Sequence, residues 1–196
     1  RCLCIASSLT ELGVSLGDTV AILAFNTPEL FEAHFSVPMT GAVLNTINTR
    51  LDAETVAYIL KFGQVKALIV DRELLPLAQK ALRDEQIKLK IILIDDDSAE
   101  VKPSVELEVL EYEELINSGD PQFTCPPLQD EWQALSLNYT SGTTGRPKGV
   151  VYHHRGSYLM SMGTVTAWEL PHHPRYLYCV PMFHCNGWGH AWTMTL

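Results

Sequence analysis

The sequence predicts an α/β fold: a layered, mostly parallel sheet flanked by helices. Short apolar runs at residues 20–25, 67–70, 90–94 and 134–139 read as buried strands. Helix-patterned stretches of about ten residues separate the first three, the length a parallel pair needs for its crossover. At 196 residues, 46% hydrophobic and 19% charged, the chain is long enough for a sizeable core and ordinary for a soluble globular protein.

Taken in order, residues 1–12 read as an amphipathic helix, broken by Gly13 and Gly17 before the strand at 20–25. Thr27 is an N-cap and Pro28 a first helical residue, opening a helix with Leu30, Phe31, His34 and Phe35 on its apolar side. Pro38 and Gly41 end it. Asp52 caps the next helix, which turns Val56, Ile59 and Leu60 inward. The strand at 67–70, a helix near 75–82 and the strand at 90–94 complete a first α/β unit, residues 1–94.

Residues 95–131 carry twelve carboxylates (Asp95, Asp96, Asp97, Glu100, Glu106, Glu108, Glu111, Glu113, Glu114, Asp120, Asp130 and Glu131) against Lys102 alone. With four prolines (Pro103, Pro121, Pro126, Pro127), this segment reads as an exposed acidic excursion, with an edge strand over 105–110 and a short helix over 112–116. The segment is −11 within a chain of −9, so it argues against nucleic acid as a partner, and Asp95–Asp97 reads as a solvated loop rather than a metal site. Residues 132–196 form a third unit with net charge +3, suited to a small anion; a helix is expected over 156–169 and a strand over 176–180 that delivers His184. Five scattered cysteines without a C-x-x-C fit free thiols in a reducing compartment, and Cys185 reads as a packing residue. His153-His154 and His172-His173 lack metal-ligand spacing and suit surface or capping roles. No apolar run approaches a membrane span. A first residue that is not methionine and an apolar run at the end suggest a chain cut at both ends.

The chemistry concentrates in residues 139–150, YTSGTTGRPKGV. Gly142, Gly145 and Gly149 free the backbone so that N–H groups can converge on an anion. Thr140, Ser141, Thr143 and Thr144 add hydroxyl donors and Lys148 adds a mobile positive charge, which together describe a phosphate cradle. It fails the Walker A pattern G-x-x-x-x-G-K-[ST] at two positions, Pro147 and Gly149, which weakens a P-loop NTPase reading.

The loop instead resembles that of the adenylate-forming (AMP-binding) superfamily: an apolar residue, two free positions, then small-small-Gly-[ST]-[ST]-Gly-x-Pro-Lys, met from Leu137 to Lys148 without mismatch. Residues 181–189, PMFHCNGWG, resemble the family's P-x-F-H-x-x-G motif. Their wording is similar to plant-type acyl-activating enzymes, a kind of acyl-CoA synthetase. Asn26-Thr27-Pro28-Glu29, Gly41-Ala42-Val43 and Asn48-Thr49-Arg50-Leu51 resemble the amino-terminal portion of such enzymes.

The resemblance implies part of the large amino-terminal adenylation domain of a carboxylic acid–CoA ligase. Such an enzyme uses ATP with Mg²⁺ to form an acyl-adenylate, and then CoA to form a thioester. Thr140, Ser141, Gly142, Thr143, Thr144, Gly145 and Lys148 would meet the β- and γ-phosphates. His184 would either donate to the carboxylate or α-phosphate or gate the acyl pocket, which Gly187, Trp188 and Met182 would line. The partners implied are a small carboxylic acid, ATP and CoA, in the cytoplasm or a peroxisome. The family's remaining catalytic parts lie beyond Leu196, so the fragment alone is expected to be inactive. The alternative is a truncated, non-catalytic nucleotide-binding protein.

Overall fold

A computed structural model describes residues 1–96, 99, 108–140 and 145–196. Among these, seven strands form one sheet in the order β5-β4-β3-β1-β2-β6-β7. The strands are β1 (Thr19–Leu23), β2 (Val43–Thr46), β3 (Val65–Asp71), β4 (Lys90–Ile94), β5 (Val109–Glu111), β6 (Ala134–Tyr139) and β7 (Gly149–His153). Every neighbouring pair is parallel except β6 and β7, which are antiparallel.

Strand periodicity explains the layering. Val20, Ile22 and Ala24 face one side, Ala21 and Leu23 the other, and all are buried. The first side is covered by α1 (Cys2–Glu11), α2 (Pro28–Ser36) and α5 (Tyr112–Ser118), through Ile5, Leu9, Leu30, Ala33 and Tyr112. The second is covered by α3 (Ala53–Phe62) and α4 (Leu75–Asp84), through Val56, Ile59, Leu60, Ala78 and Leu82. Strands buried on both faces read as continuous apolar runs, and for that reason β1, β3 and β4 were legible.

The predicted caps form. Thr27 Oγ1 accepts the Leu30 N–H at 3.3 Å and Asp52 Oδ1 accepts the Thr55 N–H at 2.8 Å. That carboxylate's pKa is depressed by the N–H of Thr55. The acidic segment adds a strand and a helix: β5 extends the sheet beside β4, and Ser8 Oγ of α1 donates to the Leu115 carbonyl of α5 at 2.7 Å. Residues 105–107 of the expected edge strand, with Asp97, Glu100, Lys102 and Glu106, lie outside the described residues. Asp95 is ion-paired with Arg72.

Three expectations need correction. Residues 176–180 are not a strand: with β-favouring side chains but no ladder partner, they run as unpaired backbone with Leu177 81% exposed. Gly149 and Val150, read as the end of the loop, open strand β7, which runs on to His153. The last long helix, α6, spans His154–Ala167, two residues earlier than expected at each end. His153 is its N-cap, with Nδ1 accepting the Gly156 N–H at 3.0 Å, which accounts for one of the paired histidines.

Candidate active site

Parallel strands bring their carboxyl ends to one edge of the sheet, and the motif residues collect there. β1 leads to Asn26, β2 ends at Thr46 and β6 runs through Asn138 into Thr140. The loop at 140–148 is the connection of the β6–β7 hairpin. Its base is closed by Thr140 N–H to the Lys148 carbonyl at 3.0 Å, and by Lys148 N–H to Thr140 Oγ1 at 3.3 Å. Ser141, Gly142, Thr143 and Thr144 lie outside the described residues. Gly145 has φ +151, a backbone conformation that favours glycine, and no atom of the described residues lies within 4 Å of where a β-carbon would stand.

Lys148 is exposed and forms no ion pair among the described residues, which leaves its ammonium available to an anion. Arg146 behaves differently. Its guanidinium lies over the Tyr58 ring of α3, 5.3 Å from the centroid, tying the far side of the loop to the scaffold. Tyr139, beneath the loop, has its hydroxyl pKa raised by burial and by neighbouring Tyr58.

His184 opens an unusual turn. Cys185, Asn186, Gly187 and Trp188 all have positive φ, from 44° to 58°, and Gly189 follows at 69°. This is a left-handed turn of five residues, a conformation costing L-residues about 1–2 kcal/mol each. In this turn His184 and Cys185 do not alternate as neighbours on a strand would. At Gly187 a β-carbon would approach Tyr178 Cε1 at 3.1 Å and Met182 Cα at 3.2 Å. His184 and Trp188 stand exposed, whereas Asn186 and Gly187 are buried.

What holds this turn is a buried polar cluster. Ser136 Oγ donates to Asn186 Oδ1 at 2.8 Å, and Asn138 Nδ2 donates to the same oxygen at 2.5 Å. Asn186 Nδ2 donates to Thr46 Oγ1 at 3.4 Å, and Thr46 Oγ1 donates to the Phe183 carbonyl at 2.7 Å. Just before it, Asn26 brackets Pro181: its Nδ2 donates to the Val180 carbonyl at 2.9 Å, and its Oδ1 accepts the Met182 N–H at 2.8 Å. His184 is thus brought to the sheet edge that carries Thr140 and Lys148. Sequence reasoning missed Thr46, Ser136, Asn138 and Asn186. The readable signal was polar residues embedded in otherwise apolar strands.

Beside the turn, an apolar cleft of about 440 Å³ is lined by Val151, Tyr152, Met160, Cys185, Trp188 and Trp192, among others. Trp188 is part of that lining; Gly187, buried within the turn, and Met182, buried before it, are not. Behind the turn, His34 is fully buried. Its Nδ1 lies 2.7 Å from the Leu30 carbonyl and its ring meets Trp192 edge-on at 5.6 Å. Burial pushes its pKa down to about 4, against smaller opposing effects from the Leu30 and Asn186 backbone. The five cysteines are all free thiols. Among the described residues no group of three histidine, cysteine or acidic side chains could hold a metal ion, and no helix is long and apolar enough to cross a membrane.

Comparison with known proteins decides the family. The profile of the AMP-binding enzyme family matches residues 1–196. The chain belongs to the AMP-binding enzyme family. It is 44% identical to an acetate–CoA ligase from Humulus lupulus, covering 99% of this chain and 36% of that protein. It is 47% identical to a peroxisomal butyrate–CoA ligase and 45% to a peroxisomal benzoate–CoA ligase, both from Arabidopsis thaliana, covering 99% and 98% of this chain and 35% and 34% of those proteins. The chain thus spans about a third of the length of these relatives. Among solved AMP-binding relatives, an anthranilate CoA ligase in complex with anthranoyl-AMP aligns with TM-score 0.73 at 28% identity, over 82% of this chain and 30% of that one. The N-terminal domain of FACL13 from Mycobacterium tuberculosis aligns with TM-score 0.77 at 27% identity, over 98% of this chain and 45% of that one.

Proposed function

We propose that this chain is the phosphate-binding and carboxylate-positioning part of an ATP-dependent carboxylic acid–CoA ligase. What supports the reading is that β6 serves both motifs: it leads into Thr140, whose hydroxyl accepts the Lys148 N–H, and its Asn138 holds the His184 turn through Asn186, while Lys148 forms no ion pair among the described residues. In this reading residues 1–94 are the scaffold, 95–131 an acidic excursion and 132–196 the unit bearing the loop.

The first step joins a carboxylate to the α-phosphorus of ATP and releases pyrophosphate; CoA then displaces AMP. An anionic nucleophile and a polyanionic electrophile repel, so the site must supply positive charge and N–H or O–H donors held in place beforehand. Lys148 compensates charge on the departing phosphates. Thr140, Ser141, Thr143 and Thr144 donate hydroxyls, while Gly142 and Gly145 let the backbone approach. His184, exposed and next in sequence to Cys185 of the cleft, donates to the carboxylate or the α-phosphate. The cleft beside Trp188 takes the uncharged part of the acid, since its lining is mainly aromatic and aliphatic. Mg²⁺ would share the charge on the phosphates; the described part of this chain offers phosphate donors and no carboxylate set for the metal.

The substrate set is a small carboxylic acid, ATP and CoA, with no nucleic acid, in a cytoplasmic or peroxisomal setting. Residues 1–196 alone are expected to give negligible turnover, because they span about a third of the relatives. Pyrophosphate release, measured for this fragment and for the full-length protein against a panel of carboxylic acids, tests both points. Release from the full-length protein alone is the expected result, and robust release from the fragment overturns the division of labour.

A further inference from the structure

We infer that Asn186 and Asn26 are positioning residues of the adenylation step, acting through His184; this rests on the ligase reading above. Both lie outside the phosphate loop, and Asn186 bonds to neither of its described ends. What they share is the segment that carries His184. Asn26 grips the main chain on each side of Pro181, three residues before it, and Asn186 grips the sheet two residues after it.

The chemistry requires asparagine at 186. Among side chains with a β-carbon, asparagine is one of the few that tolerate left-handed backbone. Its amide supplies an acceptor and a donor at once. The acceptor takes Ser136 Oγ–H and Asn138 Nδ2–H from β6, and the donor reaches Thr46 on β2. Aspartate would keep the acceptor, lose the donor and bring a charge into a fully buried position. Leucine would keep the shape and leave the Ser136 hydroxyl and Asn138 amide without this partner.

The consequence is mechanical. Asn138 stands two residues before Thr140, so one amide registers the His184 turn against the strand that feeds the phosphate loop. Cys185 and Trp188 have no such local preference for left-handed backbone, and the turn persists because its centre is bonded to two strands. Release of either clamp lets His184 shift relative to Lys148 while both residues remain present. A displacement of about 1 Å in a reacting geometry costs on the order of 10²-fold in rate.

The test uses the full-length protein and carboxylate-dependent ATP–pyrophosphate exchange, with thermal unfolding as the control. Asn26→Ala and Asn186→Leu are expected to lower kcat about 10²-fold, with the KM for ATP within about threefold of wild type. Combined with His184→Ala, each should cost less than about twofold beyond His184→Ala alone, because the residues act through one group. Asn26→Asp, which keeps the acceptor for the Met182 N–H, should recover part of the loss. Asn26 is exposed, so Asn26→Ala decides the matter even if Asn186→Leu fails to fold. An active wild type with Asn26→Ala at full kcat, or losses that add in full to His184→Ala, overturns the inference alone. A wild type silent with every acid overturns the ligase reading and this inference with it.

Discussion

The two halves of the sheet are built on different principles. Around β1, β3 and β4 both faces are apolar, and Ile22, Leu23, Leu68, Ile69 and Val70 have no exposed surface. Around β2, β6 and β7 the buried positions include Asn45, Thr46, Ser136 and Asn138, and the adjoining turn holds backbone that L-residues avoid. Val151, Leu159 and Trp188 are each more than half exposed on that side. The first half is a scaffold in which local preference and packing agree. The second departs from local preference where the candidate chemistry sits, the pattern expected when a fold gives up stability for geometry.

The contrast can be broken from either side. Leu68→Ala, at the centre of β3, should remove about 2–5 kcal/mol of stability while folded molecules keep their kcat. Denaturant unfolding alongside steady-state kinetics on the full-length protein checks this. Lys148→Ala should do the reverse. It should lower carboxylate-dependent turnover about 10²–10³-fold and weaken ATP binding, while stability changes by about 0.5 kcal/mol or less because the residue is exposed.

His34 tests the boundary between the halves through pH. Its folded pKa, about 4, lies below the ordinary value, so the folded state holds the ring neutral. The penalty is absent above the unfolded value and grows as pH falls from about 6.5 to about 4. Across that window wild type should lose roughly 3 kcal/mol relative to His34→Gln, read from paired unfolding curves. A parallel pH dependence for the two proteins would refute the buried, neutral ring. Thr27→Ala should be the mildest, removing about 1 kcal/mol through the lost cap of α2, with no change in activity.

Legibility followed the same division. β1, β3, β4, α2 and α3 could be read because apolar runs and cap residues act locally, and Thr27 and Asp52 do in the structure what their sequence positions imply. β2 was missed because Asn45 and Thr46 place polar side chains in a fully buried strand. β7 was missed because Gly149, Val150 and Val151 are all exposed, so no alternation marks a buried face. Residues 176–180 misled in the opposite way, since β-favouring composition does not make a strand without a neighbour to pair with. Sequence pattern pointed to the glycine-rich loop and Lys148 through residue type and spacing, and to His184 through the resemblance of residues 181–189 to the family's P-x-F-H-x-x-G motif. It could not point to Asn186, whose role depends on Thr46, Ser136 and Asn138 converging from two strands up to 140 positions away.

In the proposed function the Lys148 loop and the His184 turn serve one reaction between ATP and a carboxylate. Carboxylate-dependent ATP–pyrophosphate exchange by the full-length protein measures that step without requiring CoA. Exchange is expected with at least one acid of a panel running from acetate and butyrate to benzoate and cinnamate, and it should collapse in both Lys148→Ala and His184→Ala. Cleavage of ATP to ADP and phosphate, or an absence of exchange with every acid, would contradict the proposed function.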